Sequence, residues 1–243
     1  MDELLIESHG LTRVLTLNRP AKRNALNRTL TTALLDALAA AEDDGQVHVV
    51  VVTGMGPSFC AGADVGEFKD LTPDQAHLVD ERAELTMQLH LAISRMTKPV
   101  IAAVNGPAMG GGAGLAIACD LVLMGASATL GYPEIKRGIV AAIVLSNLTK
   151  QVGRKAAFHL VATGEAVSAE RSVELGMANT VCADDRLLDE ALELARKLAS
   201  FSREAMSATK RTFHEVADMS LTDGLQVGKE TNRRMRGFKR AHA

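Results

Sequence analysis

Two short segments carry residue types suited to holding a developing negative charge. One is Asn105 to Asp120, NGPAMGGGAGLAIACD, where Gly110, Gly111 and Gly112 stand directly before a small, apolar, helix-like run. A helix N-terminus offers unpaired N–H groups and partial positive charge. Glycines just before it let a ligand reach that backbone with no Cβ in the way. A lone glycine triplet reads first as a tight strand-to-helix turn. A phosphate loop is disfavoured because no Gly-Lys-Ser/Thr follows. A dinucleotide turn lacks both the GxGxxG spacing and an acidic residue ending a later strand. The second segment, SFCAGAD (Ser58 to Asp64), also follows a strand-like run, with small side chains at Ala61, Gly62 and Ala63. Two such loops, each after a parallel-type strand, are able to bring two backbone N–H groups to one point. That is an oxyanion hole, in which each donor is worth roughly 2.7–4 kcal/mol in a transition state. Composition alone leaves the turn reading standing beside it.

The elements that would position these loops alternate along the chain. LLIESHGLTRVLTLNRP (Leu4 to Pro20) reads as a hairpin turning at His9-Gly10. Asn27 suits a helix N-cap, with Leu30, Leu34, Leu38 and Ala41 on one face and an end near Gly45. VHVVVVTG (Val47 to Gly54) is a continuous β-branched run, as in a strand buried on both faces. A second amphipathic helix carries Leu78, Leu85, Leu89, Ile93 and Met96, and PVIAAV and DLVLMG (Asp120 to Gly125) read as further strands. From about Gly138 the pattern is almost wholly helical, including a helix through Leu188, Ala191, Leu192, Ala195 and Leu198 and a basic stretch from Lys229 to Arg240. Strands and helices alternate first and helices collect at the C-terminus, so the fold class is α/β.

Composition narrows the function. The chain has 243 residues, 47% of them hydrophobic, and a formal net charge of −2. It can bury a sizeable core and presents no field for nucleic acid. MDELLIESHG has no basic segment leading into an apolar run, so it does not read as a signal peptide, and no run approaches membrane-spanning length. Cys60, Cys119 and Cys182 are far apart and not in metal-ligand spacing. A soluble, cytoplasmic protein with no membrane partner is expected.

The stretches LNRPAKRNALN (Leu17 to Asn27), VVVVTGMGPSFCAGADVGEF, KPVIAAVNGPAMGGGAGLAIACDLVLMGASATLGYPE and TGEAVSAERSVELGMANTV (Thr163 to Val181) together resemble the crotonase (enoyl-CoA hydratase/isomerase) superfamily. The resemblance implies a spiral of ββα units with an acyl-CoA site over residues 1–185. It further implies a C-terminal helical region, 186–243, that assembles a homotrimer or a dimer of trimers. The backbone N–H groups of Ala63 and Gly111 would hold the thioester oxygen of an acyl-CoA, and a helix opening at Gly112 would aim its positive end at the same atom. An enolate would be the stabilised intermediate. Ala61, Ala63, Asp64 and Val65 would line the adenine pocket, and Lys22 and Arg23 would approach the phosphates. Lys22 and Arg23 read equally as a solvated turn. Gly110, Gly114, Tyr132 and Ile139 would line the substrate pocket. No metal and no cofactor beyond the substrate's own coenzyme A are implied.

One departure from the family pattern matters. Typical hydratases carry two glutamates near the thioester, and the first of these positions is Gly114 here; the second survives as Glu134 in GYPEIKRG. Two carboxyl groups suit hydration, where one activates water and the other orients it. One suffices to move a double bond from the 3,4 to the 2,3 position, by taking a proton at C2 and returning one at C4. GIVAAIVLSNL (Gly138 to Leu148) replaces a glycine-rich run common in hydratases and reads as an apolar wall against water, or equally as helix core. The expectation is therefore a 3-enoyl to 2-enoyl-CoA isomerase, with 2-enoyl-CoA hydratase and a non-catalytic acyl-CoA-binding relative as alternatives. A serine hydrolase on the same scaffold would need a histidine placed for Ser127 or Ser146, and decarboxylation or retro-aldol cleavage shares the enolate logic. Cys60, His90 and His159 read as structural or surface residues, Asp64 as a cap and Asp120 as a cap or structural pair. Gly114→Glu is expected to be tolerated by the helix, since glutamate has the better propensity.

Overall fold

The computed structural model describes residues 2–70 and 73–236. β1 (Leu4–His9) and β2 (Thr12–Leu17) form an antiparallel hairpin turning at Gly10, where φ is 61°. α1 (Arg28–Asp43) begins at Asn27, whose side chain accepts the Leu30 N–H, and it buries Leu30, Leu34, Leu38 and Ala41. β3 (Val49–Gly54) is buried along its whole length. α2 (Ala76–Arg95) buries Leu89 and Ile93. There follow β4 (Val100–Val104), β5 (Ala108–Met109), α3 (Gly111–Ala118), β6 (Leu121–Gly125) and β7 (Thr129–Gly131). α4 (Leu145–Thr163) is broken at Gly153, and then come β8 (Ala166–Ser168), α5 (Ala169–Glu174) and β9 (Thr180–Cys182). α6 (Leu187–Ala199), α7 (Arg203–Val216) and α8 (Leu221–Met235) close the described chain.

The main sheet has the order β1-β2-β3-β4-β6-β9, parallel from β2 onward, and a small sheet stacks β5-β7-β8. In the two turns β4-β5-α3 and β6-β7-α4 the chain leaves one strand in the large sheet and one in the small one before a helix returns it. The stretch after Gly138 is less helical than its pattern predicts. β9 pairs with β6 through Met124 and Val181, and β8 pairs antiparallel with β7 through Leu130 and Val167. Strands of three residues show too little alternation to be seen locally; they exist because remote edges accept them.

Both faces of the large sheet are covered, which explains its unbroken apolar strands. Leu17, Val50, Val52, Ala102 and Val104 face α1, α2 and α3, while Val14, Val49, Val51, Ile101, Ala103 and Leu123 face Leu187, Ala191 and Ala195 of α6. α6 therefore completes a core against the outer face of the large sheet. α7 is pinned to the core by the buried Lys210, whose Nζ donates to Ile93 O at 2.8 Å, Lys98 O at 2.9 Å and the Asp120 carboxylate at 2.6 Å. Asp120 is thus the structural pair expected, and it also accepts the Val100 N–H at 2.7 Å. The basic stretch from Lys229 follows α8 to Met235, with Arg236 as its C-cap; residues 237–240 lie outside the described ones.

Candidate active site

The glycine-bearing loops after β3 and β4 lie side by side because their backbones are bonded to each other. Cys60 bridges Ala108, the Met109 N–H donates to Cys60 O at 2.9 Å, and the Gly110 N–H donates to Gly131 O at 2.8 Å. Leu26 grips the far side of the first loop through Gly62 O and the Asp64 N–H. Gly62 has φ 89°, and a Cβ there would come within 2.6 Å of Met109 O, so the contact requires glycine. This register places Ala63 against Gly111: a Cβ on Gly111 would stand 3.7 Å from Ala63 N. Neither the Ala63 nor the Gly111 N–H has a hydrogen-bond partner among the described residues. Gly111 opens α3, with Gly110 as its N-cap, so the helix's positive end adds to the two donors. The arrangement is an anion cradle of two backbone N–H groups.

The cradle's ordinary van der Waals surroundings make a direct test possible. Gly111→Val should fold, because a Cβ meets nothing closer than 3.7 Å, yet it should fill the space above the donors and abolish turnover. Thermal unfolding and acyl-CoA turnover measured on the same preparation check this. Wild-type turnover in the folded variant would move the site elsewhere.

Glu134 reaches the cradle from the short helical turn Pro133–Arg137, which follows β7. Its Oε1 packs on Gly110, where a Cβ would lie 2.6 Å away; φ 53° with ψ −120° there also favours glycine. The carboxylate has no ion-pair partner among the described residues, and its Oε2 is buried without a hydrogen bond. Burial, the largest effect, raises its pKa above the ordinary carboxylate value. A raised, unpaired carboxylate beside two free backbone donors has the properties that an acid/base group needs. Tyr132, two residues earlier, is fully buried, and Ile139 lies at the protein surface with its N–H on Glu134 O at 3.1 Å.

Gly114 does not line a pocket, contrary to expectation. A Cβ at Gly114 would overlap Val144 Cγ1 and stand 3.0 Å from His90 Cε1. The space that a longer side chain would need is filled from α2 and from the segment leading into α4. His90 is neutral there, its pKa pushed down by burial to about 4, with Nδ1 3.2 Å from Asn147 Nδ2. Helix propensity argued for tolerance at Gly114; packing overrides it.

The remaining predicted residues divide between the loop rim and the core. Asp64 Oδ1 accepts the Gly66 N–H at 2.9 Å and Oδ2 meets Arg19 Nη2 at 2.8 Å. The Gly66 bond first, then Arg19, lower its pKa, so this carboxylate is engaged in holding the loop. Arg19 lies within the LNRPAKRNALN stretch but was not singled out by its own chemistry; it also reaches Glu3 at 3.0 Å and Ala25 O at 2.5 Å. Lys22 and Arg23 are exposed, and Arg23 O accepts the Ala61 N–H at 2.9 Å, so the basic turn is tied to the rim formed by Ala61 and Val65. Burial pushes the Cys60 thiol up to about 12, which makes it no nucleophile. Among the described residues no histidine bonds Ser127 or Ser146, and no cluster has the makings of a metal site. No described helix is long and apolar enough to cross a membrane.

Comparison with known proteins agrees in sequence and in structure. The family model described as enoyl-CoA hydratase/isomerase matches residues 8–236. The chain is 40% identical to a putative enoyl-CoA hydratase of Thermus thermophilus over 92% of this chain and 88% of that one. It is also 40% identical to the 2,3-dehydroadipyl-CoA hydratase of Escherichia coli, over 93% and 87% respectively. Among solved structures, an enoyl-CoA hydratase of Bacillus anthracis superposes with a TM-score of 0.93 at 29% identity, covering 98% of this chain and 92% of that one. One from Mycobacterium smegmatis gives 0.93 at 31%, with the same coverage.

Proposed function

Since the chain belongs to the enoyl-CoA hydratase/isomerase family of the crotonase superfamily, we propose that it converts a 3-enoyl-CoA to the 2-enoyl-CoA with Glu134 as its one acid/base. The observation that carries this reading is the closed first-glutamate position: Val144 and His90 occupy the space beside Gly114. Glu134 takes a proton from C2, and the C–H electron pair passes into a dienolate whose oxygen rests on the Ala63 and Gly111 N–H groups. The same carboxyl group returns the proton at C4, using the electrons of the migrating double bond. Water is not consumed. Lys22 and Arg23 serve the phosphates of coenzyme A, Ala61, Asp64 and Val65 the rim around its adenine, and no metal or further cofactor takes part.

The names of the relatives favour a second reading, hydration of a 2-enoyl-CoA. Incubating the protein separately with 2-enoyl- and 3-enoyl-CoA distinguishes them. Isomerisation leaves the mass unchanged and moves the double bond; hydration adds one water. A hydrated product from 2-enoyl-CoA with no conversion of 3-enoyl-CoA would reverse the choice.

We further propose a homotrimer or dimer of trimers built on the C-terminal helices. Phe213, Leu221 and Leu225 of α7 and α8 are 67%, 80% and 65% exposed in the single chain, an apolar surface that assembly would cover. Sedimentation at micromolar concentration should give a trimer or hexamer, and a clean monomer would refute it.

A further inference from the structure

The chain's single tyrosine, Tyr132, is fully buried, and its hydroxyl has no hydrogen-bond partner among the described residues. Glu134 Oε2 shares that condition two residues away. Buried polar atoms in folded proteins are overwhelmingly paired, and leaving one unpaired is costly. If the ring served only to fill the core, phenylalanine would fill it without that cost. Tyr132 follows Gly131, whose carbonyl fixes Gly110, so the phenol is set by the same strand end that sets the anion cradle. After burial, the charge of Glu134 is the next cause raising the Tyr132 pKa, so the phenol keeps its proton beside the carboxylate and can only help it as a donor. On the neighbouring loops and on α2 the titratable groups Asp64, Cys60 and His90 are engaged or silent: Asp64 holds Arg19, Cys60 stays a thiol and His90 stays neutral.

We propose that Tyr132 is a positioning residue for Glu134: its hydroxyl donates a hydrogen bond to the carboxylate as that side chain moves off Gly110 to take the C2 proton. The bond holds Glu134 ionised and aimed until the proton arrives. When Glu134 is protonated the bond weakens, which favours return of the proton to C4. Tyr132 keeps its own proton throughout. The proposal rests on Glu134 being the acid/base of the site.

Tyr132→Phe removes the hydroxyl alone. Turnover should fall by about tenfold, the loss expected for one such hydrogen bond, with KM changed by less than about twofold. The acid limb of the kcat–pH profile should move to higher pH, because the carboxylate loses a donor. The melting temperature should not fall, since the hydroxyl removed had no partner. A side chain of purely structural importance would leave both kcat and the acid limb where they were, and that result would overturn the proposal. Should the variant fold poorly, fluorotyrosine incorporated throughout the protein labels position 132 alone, because there is no other tyrosine. Its more acidic phenol should move the acid limb to lower pH. Its fluorine resonance should titrate with Glu134 and lose that titration in Glu134→Gln; an unmoved limb and a flat resonance would again overturn the proposal. An inactive Glu134→Gln beside a fully active Tyr132→Phe defeats this inference alone, whereas an active Glu134→Gln defeats the acid/base reading as well.

Discussion

Glu134→Gln is expected to lower turnover by about 10²–10⁴-fold, the contribution typical of a positioned acid/base group. Glutamine keeps the size and most of the hydrogen-bonding capacity but accepts no proton, so acyl-CoA affinity should hardly change. A fall in kcat with KM preserved marks an interaction made only in the transition state. The sign of the pH dependence follows from burial. Burial holds the Glu134 pKa above its ordinary value, and the proton-accepting form is the ionised one. Activity should therefore rise with pH through that raised pKa, with an acid limb at higher pH than a solvated glutamate would give. The remaining activity of Glu134→Gln should lack this limb. The measurement is a pH–rate profile for both proteins with 3-enoyl- and 2-enoyl-CoA. Wild-type rates on every enoyl-CoA tried would make Glu134 structural and remove the one-carboxylate mechanism.

The parts of this site that were legible in the sequence are those encoded by local necessity. Gly62 and Gly112 are glycine because two backbones touch there, and Gly110 because its positive φ and the Glu134 carboxylate leave no room for a Cβ; those requirements write themselves into residue type. The buried parallel strands were visible because both faces of the sheet are covered, leaving no polar alternation in β3 or β4. What the sequence hid are contacts between distant segments. Val144 and His90 converge on Gly114 from elements more than twenty residues away on either side, and nothing in their own neighbourhoods marks that meeting. The segment from Gly138 to Leu148, read as an apolar wall or equally as helix core, carries the Val144 that meets Gly114, and nothing in the segment itself marks that target. Lys210 on Asp120 is similar: a lysine in an amphipathic helix reads as solvated surface until the partner carboxylate is seen. The short strands β8 and β9 are decided by the edges they join rather than by their three residues each.

That hidden packing reverses the expectation for Gly114→Glu. The added Cβ would overlap Val144 Cγ1 and crowd His90 Cε1 at 3.0 Å, both in a tightly packed interior. Overpacking of this kind costs about 1–3 kcal/mol, and a carboxylate confined there without a cation adds a desolvation penalty of up to several kcal/mol. The variant should unfold at a clearly lower urea midpoint than wild type, and should gain no hydration, because its carboxyl group would be forced away from the substrate or kept protonated. Val144→Ala removes the overlapping Cγ1 methyl and leaves the Cβ of residue 144 at 3.0 Å. Combined with Gly114→Glu, it should recover much of the lost stability, although His90 remains, and it opens the position to solvent and to the new carboxylate. Hydration of 2-enoyl-CoA relative to isomerisation should therefore rise in the double variant and not in either single one, a non-additivity expected of residues in direct contact. A singly substituted Gly114→Glu protein with wild-type stability and increased hydration would show that Val144 does not close the site, and the steric ground for preferring isomerisation would go with it.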